Sequence, residues 1–330
     1  MPEPLTSHLA APATTSRRER VVALMRAAQA RLTAAFEALD GQATFRPHTW
    51  ERPGGGGGTA KVLEGGRVLE RGGINVSAVC GDAVPPSLAA THPGTEGKPF
   101  FATGLSMVLH PLNPYAPAFH ANYRYFEVTE VSSRGHEIAP RVWWFGGGAD
   151  MTPNYPFEED VIHFHRTLKA QCDRHDVGDY ETLKRACDDY FFIRHRGEMR
   201  GVGGIFFDEL SPIGQGDFER DFAFVADGLD TILEAYLPLL ARRHATPYGE
   251  RERRWQLLRR GRYVEFNLVY DRGTLFGLQT GGNIEAILMS MPPFAHWAFD
   301  YAPEPGSPEA AMLAFLQPRD WASAGSERLP

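Results

Sequence analysis

Three features are scarce or missing in this chain of 330 residues. It has only three cysteines, Cys80, Cys172 and Cys187, and no C-x-x-C motif. We therefore expect reduced, partly buried thiols rather than a disulfide framework, a metal thiolate or a cysteine nucleophile. No apolar run reaches the roughly 18 residues of a membrane span. The formal net charge of −7 is unlike the basic field of a nucleic-acid-binding protein.

The N-terminus also lacks the basic-then-apolar pattern of a signal peptide. We interpret residues 1–16 as a flexible leader, 17–302 as one domain, and 303–330 as a tail with a short helix near 308–316. With 43% hydrophobic and 23% charged residues, the composition is that of an ordinary globular protein, and we expect a cytoplasmic one.

Five consecutive glycines, Gly54–Gly58, are followed by Thr59-Ala-Lys61. A phosphate-binding loop requires Lys-Ser or Lys-Thr after its glycines, so this segment does not match one. We interpret it as a mobile loop.

Apolar periodicity predicts a helix over 17–39, with Ser16 and Glu19 as a capping box. Strand-like runs come mostly in succession, which favours an α+β fold with a large, mainly antiparallel sheet. Further helices are predicted at 156–175, 179–199, 217–244 and 250–260. Strands are predicted at 60–64, 67–79, 100–109, 122–131, 140–145 and 201–208. A hairpin is predicted over 262–280, around Asp271-Arg272-Gly273.

The segment from His110 to Arg124 carries two histidines, an amide and a guanidinium on a loop stiffened by three prolines. Side chains alternate along a strand, so Ser106 and His110 share one face, and so do His120, Asn122 and Arg124. If the loop folds the two strands back antiparallel, both rows meet on one face. Arg124 suits a carboxylate, because its planar fork binds both oxygens. An ordinary polar sheet face, with His110 capping the loop, explains the spacing equally well.

Several other residues have side chains suited to binding or catalysis, and the sequence pattern allows more than one role for each. His165 falls on the apolar face of its helix and His195 at the end of the next, so each is either a packed histidine or part of a site. Asp208 follows the apolar run Gly-Ile-Phe-Phe and must be paired or perturbed. Glycines at 146–148 and 281–282 allow close approach of a large flat ligand, although turns also use them. Six arginines, for which surface pairing is the plainer role, could add positive charge: Arg141, Arg194, Arg196, Arg200, Arg262 and Arg272.

Several long motifs resemble the oxygen-dependent coproporphyrinogen III oxidases, in unbroken order over about 17–300. They are Gly54–Gly58, Ser106–Glu127, Trp143–Pro153, His163–Arg166, Phe191–Arg196, Gly203–Asp208 and Gly261–Pro293. The resemblance implies a catalytic domain with helices on both faces of the sheet, and a homodimer formed through about 263–297. It implies oxidative decarboxylation of two propionates of coproporphyrinogen III to vinyls, giving protoporphyrinogen IX. Molecular oxygen would be the oxidant, without flavin or haem.

The same resemblance implies roles for individual residues. His120 matches a proton donor and Asp208 a carboxylate acting on pyrrole nitrogens. Substrate contacts correspond to Ser106, Asn122, Tyr123, Arg124, Gly281, Gly282 and Asn283. We expect a metal-independent reaction, but a divalent metal assigned in bacterial members of the family would be held by His110, His120, His165 and His195.

One position departs from the family pattern, because Asn283 stands where similar proteins have arginine. An asparagine carries no charge, so any propionate held there is held differently. Two rival functions remain, a histidine-based metal-dependent hydrolase and a tetrapyrrole carrier without catalysis. The oxygen-independent route to the same product would need a cluster-binding cysteine motif, which the sequence lacks.

Overall fold

The fold is seen in a computed structural model that describes residues 16–131, 137–138, 140, 142–212, 215–279 and 282–324. The helices in these residues are α1 (Arg17–Asp40), α2 (Pro86–Ala89), α3 (Glu158–Asp173), α4 (Tyr180–Tyr190), α5 (Phe218–Arg243), α6 (Glu250–Val269), α7 (Arg272–Gln279), α8 (Ile284–Leu288) and α9 (Pro308–Phe315). The strands are β1 (Arg46–Glu51), β2 (Gly56–Glu64), β3 (Leu69–Gly81), β4 (Phe100–Pro111), β5 (Ala118–Val128), β6 (Glu130–Val131), β7 (Glu137–Ile138), β8 (Trp143–Thr152), β9 (Phe192–Ile193), β10 (Glu198–Met199) and β11 (Gly204–Phe207).

The centre of the fold is a seven-stranded sheet in the order β1-β2-β3-β4-β5-β8-β11. Every neighbouring pair in it is antiparallel. The predicted α+β fold with a large antiparallel sheet is therefore confirmed. Strand β1, which the sequence reasoning missed, adds one edge to the sheet.

One face of the sheet forms the main core. Phe119, Ala121, Tyr123 and Tyr125 alternate along β5 and are buried, together with apolar residues of α1, α3 and α5. Burying one such large side chain stabilises the fold by about 1.5–3 kcal/mol. The capping box at Ser16 and Glu19 forms as predicted at the start of α1.

The opposite face is covered over part of its area. Tyr263 of α6 meets His110 edge-on, and Met289, just after α8, lies against Gly73 of β3. Other side chains on this face stay partly exposed, among them Ser106 of β4 and Arg124 of β5. The sheet therefore carries helices on both faces, and an open area on one.

Three local predictions are wrong. Helix α4 ends at Tyr190, because Phe191 and Ile193 turn into an apolar cluster with Cys187 and Phe266. The predicted hairpin over 262–280 is instead the end of α6 followed by α7. Asp271 accepts a hydrogen bond from the Thr274 amide at 2.7 Å, so the Asp-Arg-Gly sequence starts a helix there.

The third correction concerns the glycine segment. Gly56–Gly58 belong to strand β2, paired with both β1 and β3. A Cβ at Gly57 would lie 2.2 Å from the Trp50 carbonyl oxygen. These glycines are therefore required by close strand packing, and motion of the loop stays a prediction.

The C-terminal segment packs against the rest of the chain. Helix α9 forms as predicted, and Met312, Leu316 and Trp321 are buried in the main core. Residues 1–15 of the expected leader lie outside the described residues. Cys172 and Cys187 are buried, Cys80 is exposed, and all three are free. In the described part of the chain, no helix has the length and apolarity to cross a membrane.

Candidate functional site

The rows of polar side chains predicted for β4 and β5 do meet on one face. Ser106 is the register partner of Asn122, and Asn75 of β3 is the partner of Ser106 on its other side. All three are partly exposed. An antiparallel register therefore places a hydroxyl and two amides in one line across three strands.

Glycines keep this face of the sheet flat. Gly104 pairs with Arg124, and Arg124 pairs in turn with Gly146. A Cβ at Gly146 would lie 2.7 Å from Arg124 Nε and 2.5 Å from the Asp208 carbonyl oxygen. The glycine at 146 therefore allows the Arg124 side chain to lie across β8 toward β11.

Arg124 ends in an exposed group of three charges. Its guanidinium donates to Asp208 Oδ1 at 2.9 Å, and Arg272 donates to Oδ2 of the same carboxylate at 2.8 Å. The exposed side-chain fractions are 39% for Arg124, 50% for Asp208 and 59% for Arg272. The predicted pairing of Asp208 is thus confirmed, and its two partners leave a local excess of one positive charge.

A second, buried group of charges lies on the same face. His120 Nδ1 lies 2.7 Å from Asp150 Oδ1, and Arg200 donates to both oxygens of Asp150 at 2.8 and 2.9 Å. The side chains of Asp150 and Arg200 are each 2% exposed. Since an ionised carboxylate only accepts, Nδ1 carries a proton and donates it to Asp150, so that Nε2 is the ring nitrogen left for other partners.

Arg200 is enclosed by aromatic rings. Its guanidinium carbon lies 4.1 Å from the centre of the Phe191 ring and 4.6 Å from that of Tyr263, and it also donates to Asn267 at 2.7 Å. Burial opposes charge on Asp150, but the pKa of this carboxyl is nevertheless lowered, because Arg200 and His120 favour its ionised form. The pair therefore stays charged beneath His120.

The four histidines expected to share a metal do not form one cluster. His165 is buried, between the Tyr180 hydroxyl at 2.9 Å and the Val202 carbonyl at 3.0 Å. His110 is buried and donates through Nε2 to the Ser290 carbonyl. His195 lies in a turn, not at a helix end, with Glu265 and Tyr270.

These separate partners do not fit a four-histidine metal site. Among the residues described, no three His, Cys, Asp or Glu side chains are arranged to hold a metal ion. Burial lowers the pKa of His110 and that of His165 to about 3, so both are neutral packing groups. The inward position predicted for His165 is confirmed, and of its two possible roles it has that of a hydrogen-bonded histidine packed in the core.

Four further residues were predicted as substrate contacts. The Tyr123 ring lies on the core face, fully buried against Gly228 of α5, so assigning this side chain to the substrate face is wrong. Asn283 caps α8 by accepting from the Ala286 amide at 2.8 Å, and Gly282 precedes it in the turn after α7. Gly281 lies outside the described residues.

A separate groove lies between α3 and α5. It encloses about 620 Å³ and is lined by Glu159, Ile162, His163, Arg166, Thr167, Ala170, Arg174 and Glu234. Its arginines are engaged, since Arg166 donates to the Ala322 carbonyl and Arg174 to Asp227. Glu159 and Glu234 balance the charge of these two arginines, whereas the sheet face has two arginines for one carboxylate, so the groove is less suited to an anionic ligand.

The fold and the site define an α+β protein whose antiparallel sheet packs one face into the core and presents ion-paired arginines on the other. The sequence model of coproporphyrinogen III oxidase matches residues 20–321. The chain therefore belongs to the coproporphyrinogen III oxidase family, and the resemblance drawn from its motifs is confirmed.

Sequence reasoning missed Asp150 and Arg200 as members of the site. Asp150 lies inside the glycine-rich motif after Trp143, and an acidic residue within such an apolar strand was an available signal. Arg200 was grouped with surface arginines, because no local pattern indicates that an arginine of a short loop will be buried among aromatic rings.

Proposed function

We propose that this chain catalyses the oxygen-dependent decarboxylation of two propionates of coproporphyrinogen III to vinyls, giving protoporphyrinogen IX. The observation that carries the proposal is the open sheet face, which combines a glycine floor, a line of amide and hydroxyl groups, and half-exposed guanidinium groups. A macrocycle with four carboxylates requires such a combination, since it is flat in part and anionic at its edge.

Each of the two reactions balances with one molecule of oxygen. In each propionate, the bond between the α-carbon and the carboxyl carbon breaks and a hydrogen leaves the β-carbon. A double bond then forms between the α-carbon and the β-carbon. The two electrons released reduce oxygen, which takes up the hydrogen and one proton to give hydrogen peroxide, while carbon dioxide leaves. Oxygen itself is a substrate, and neither flavin nor haem is invoked. The chain's three cysteines, without a C-x-x-C motif, favour this route over one using a cysteine-bound cluster.

His120 is the proposed proton-transfer group. Its Nδ1 is held by Asp150 at 2.7 Å, and its side chain is 23% exposed, which leaves Nε2 as the nitrogen available to a ligand. Because an imidazole in its neutral form accepts and in its charged form donates near neutral pH, it suits general acid–base work. Asp150 and Arg200 act through His120, by fixing its tautomer and its orientation.

Arg124, Asn122 and Ser106 are the proposed contacts for a propionate. Arg124 alone among them is charged. It donates one hydrogen bond to Asn122 Oδ1, at 3.4 Å, and another to Asp208. Asp208 is the proposed partner of a pyrrole N–H. Its two oxygens offer about four lone pairs, so it can accept from a pyrrole N–H.

We also propose the homodimer. Large apolar side chains are exposed across the predicted contact region and just beyond it: Leu268, Val269, Leu278, Ile284, Phe294, Trp297 and Phe299. This concentration of exposed apolar side chains in one segment of the chain favours an interface there. Sedimentation of Trp297→Ser should shift the protein toward a monomer. The cytoplasmic location stays a prediction.

An oxygen electrode tests the proposed reaction. Coproporphyrinogen III added to the purified protein should start oxygen uptake, with two vinyl groups and two molecules of peroxide formed per macrocycle. A metal-dependent hydrolase would show no uptake, and a carrier would bind the macrocycle without forming peroxide. Either result would refute the proposal.

A further inference from the structure

Asp208 occupies a position between two half-exposed arginines, although it belongs to the protein itself. Arg124 binds one of its oxygens and Arg272 the other, at 2.9 and 2.8 Å. Hydrogen bonds from a guanidinium group to a carboxylate are charge-assisted and stronger than bonds between neutral groups, so two such groups can hold a ligand carboxylate. The arrangement is built on two elements, since Arg124 comes from β5 and Arg272 from the start of α7.

Contacts with Tyr190, in addition to the ion pair with Asp208, hold Arg272 in position. Its guanidinium carbon lies 4.7 Å from the centre of the Tyr190 ring, and its backbone amide donates to the Tyr190 hydroxyl at 3.1 Å. That hydroxyl is held by Asp271 at 2.9 Å. An arginine stacked on a fixed ring loses less freedom when it binds an anion, so Arg272 differs from a surface arginine that swings in solvent.

We propose that Arg124 and Arg272 form a two-arginine site for a substrate carboxylate, and that Asp208 closes this site as an internal counter-ion until the substrate replaces it. This inference rests on the proposed function. The incoming carboxylate takes over the two guanidinium groups. Asp208 then turns its oxygens to the macrocycle, where they accept from a pyrrole N–H.

Exposure makes this exchange feasible. Asp208 is 50% exposed, so its ion pairs are weak in water and a ligand carboxylate can compete with them. Position 283 offers no positive charge, since it is an asparagine, and its side-chain oxygen caps α8. Arg272 therefore supplies the second positive charge that a substrate with several carboxylates needs beside Arg124.

The proposal predicts opposite signs for two substitutions in one cluster. Asp208→Asn removes the competing charge but keeps an acceptor oxygen, so more of the protein is ready to bind. Arg272→Gln removes one of the two anion-binding groups. A merely structural cluster would be weakened by either change.

The test is equilibrium binding of coproporphyrin III, the stable oxidised macrocycle, followed by its fluorescence without turnover. We expect Asp208→Asn to bind it at least about threefold more tightly, and Arg272→Gln about tenfold more weakly. Arg272→Lys should fall between Arg272→Gln and the parent protein. Turnover of Asp208→Asn should fall even as its binding tightens.

Two controls define the outcome. Arg319→Gln is the matched variant, because Arg319 also pairs with one carboxylate, Glu158, and lies 4.3 Å from a tryptophan ring centre; its affinity should stay within about twofold of the parent. The tetramethyl ester of coproporphyrin III lacks carboxylates, and its affinity should not respond to either site variant.

Weaker or unchanged binding of coproporphyrin III by Asp208→Asn overturns the counter-ion role. An equal response of the ester overturns direct carboxylate recognition. Both readouts are independent of oxygen, so a parent protein that binds coproporphyrin III but takes up no oxygen refutes the proposed reaction and leaves this site intact. A parent that fails to bind coproporphyrin III refutes both.

Discussion

Two arginine–carboxylate groups share one face of the sheet and differ mainly in burial. Asp150 and Arg200 are each 2% exposed, and aromatic rings surround the guanidinium. Asp208 and its two arginines are between 39% and 59% exposed. The same chemistry therefore has two uses, since a buried pair is fixed and an exposed pair can exchange its partners.

The comparison explains why His120 lies where it does. It contacts Asp150 of the buried group at 2.7 Å, while its side chain remains 23% exposed toward the open face. A fixed charge orients the imidazole, and exchangeable charges beside it receive the ligand. Orientation and binding are thus assigned to separate groups.

The largest expected effect is on stability, from breaking the buried pair. Arg200→Met leaves Asp150 as a buried charge without its partner, and should lower the free energy of unfolding by about 3–5 kcal/mol. Urea denaturation measures it. Arg272→Met, at the exposed group, should lose less than about 1 kcal/mol. Equal losses would show that burial does not separate the two groups.

If Arg200→Met is too unstable to purify, a double variant keeps the comparison. Adding Asp150→Asn removes the uncompensated charge and should restore part of the lost stability. A double variant less stable than Arg200→Met would contradict the account.

The next effect is on catalysis. His120→Gln should reduce kcat by about 10²–10⁴-fold, the usual contribution of a proton-transferring side chain, and should change KM little. The matched control is His175→Gln, because His175 forms a similar pair with Asp227 at 2.8 Å on the helical side. Unchanged kcat in His120→Gln would remove this imidazole from the mechanism.

A smaller effect concerns the affinity of the exposed group. Arg124→Gln removes charge-assisted hydrogen bonds to a ligand carboxylate and should raise KM about 10–100-fold. Added salt should weaken binding to the parent protein more than binding to the variant. Arg20→Gln, which breaks an exposed pair with Glu219, is the control. A KM that stays at the parent value would place the carboxylate site elsewhere.

The smallest expected effect is the pH dependence that comes from a buried histidine. The pKa of His165 is lowered to about 3 by burial and by Lys184, against about 6.5 when unfolded. Between these values the unfolded chain binds more protons, so stability is complete above pH 6.5 and falls with acid. From pH 7 to pH 5 this histidine should remove about 2 kcal/mol.

His165→Gln tests that slope, since glutamine can keep both hydrogen bonds without titrating. Its free energy of unfolding, measured in urea at the two pH values, should fall less than that of the parent. The exposed His48→Gln should follow the parent protein. An unchanged slope in His165→Gln would mean that His165 does not lie buried and neutral.

Local pattern predicted much of the fold and part of the site. Alternation and the proline loop predicted that Ser106 and Asn122 share one face, and apolar periodicity predicted that His165 points inward. The failures have two causes, a local rule that was not applied and packing between distant segments. Tyr123 was assigned to the ligand side although strand alternation puts it opposite Asn122 and Arg124. The burial of Arg200 depends on rings from α6 and from the segment after α4, which no short window contains.

Asp271-Arg272-Gly273 shows the same limit from another side. The sequence suits a hairpin turn, but the Asp271 side chain caps a helix instead. This helix start places Arg272 beside Asp208. Because a hairpin was predicted there, the sequence analysis did not identify Arg272 as a member of the exposed group.

The most direct measurement is a crystal structure of the protein with coproporphyrin III bound. The account predicts the macrocycle over Gly104 and Gly146, with a propionate between Arg124 and Arg272 and His120 Nε2 facing the ring edge. A macrocycle bound elsewhere, for example in the groove between α3 and α5, would contradict it.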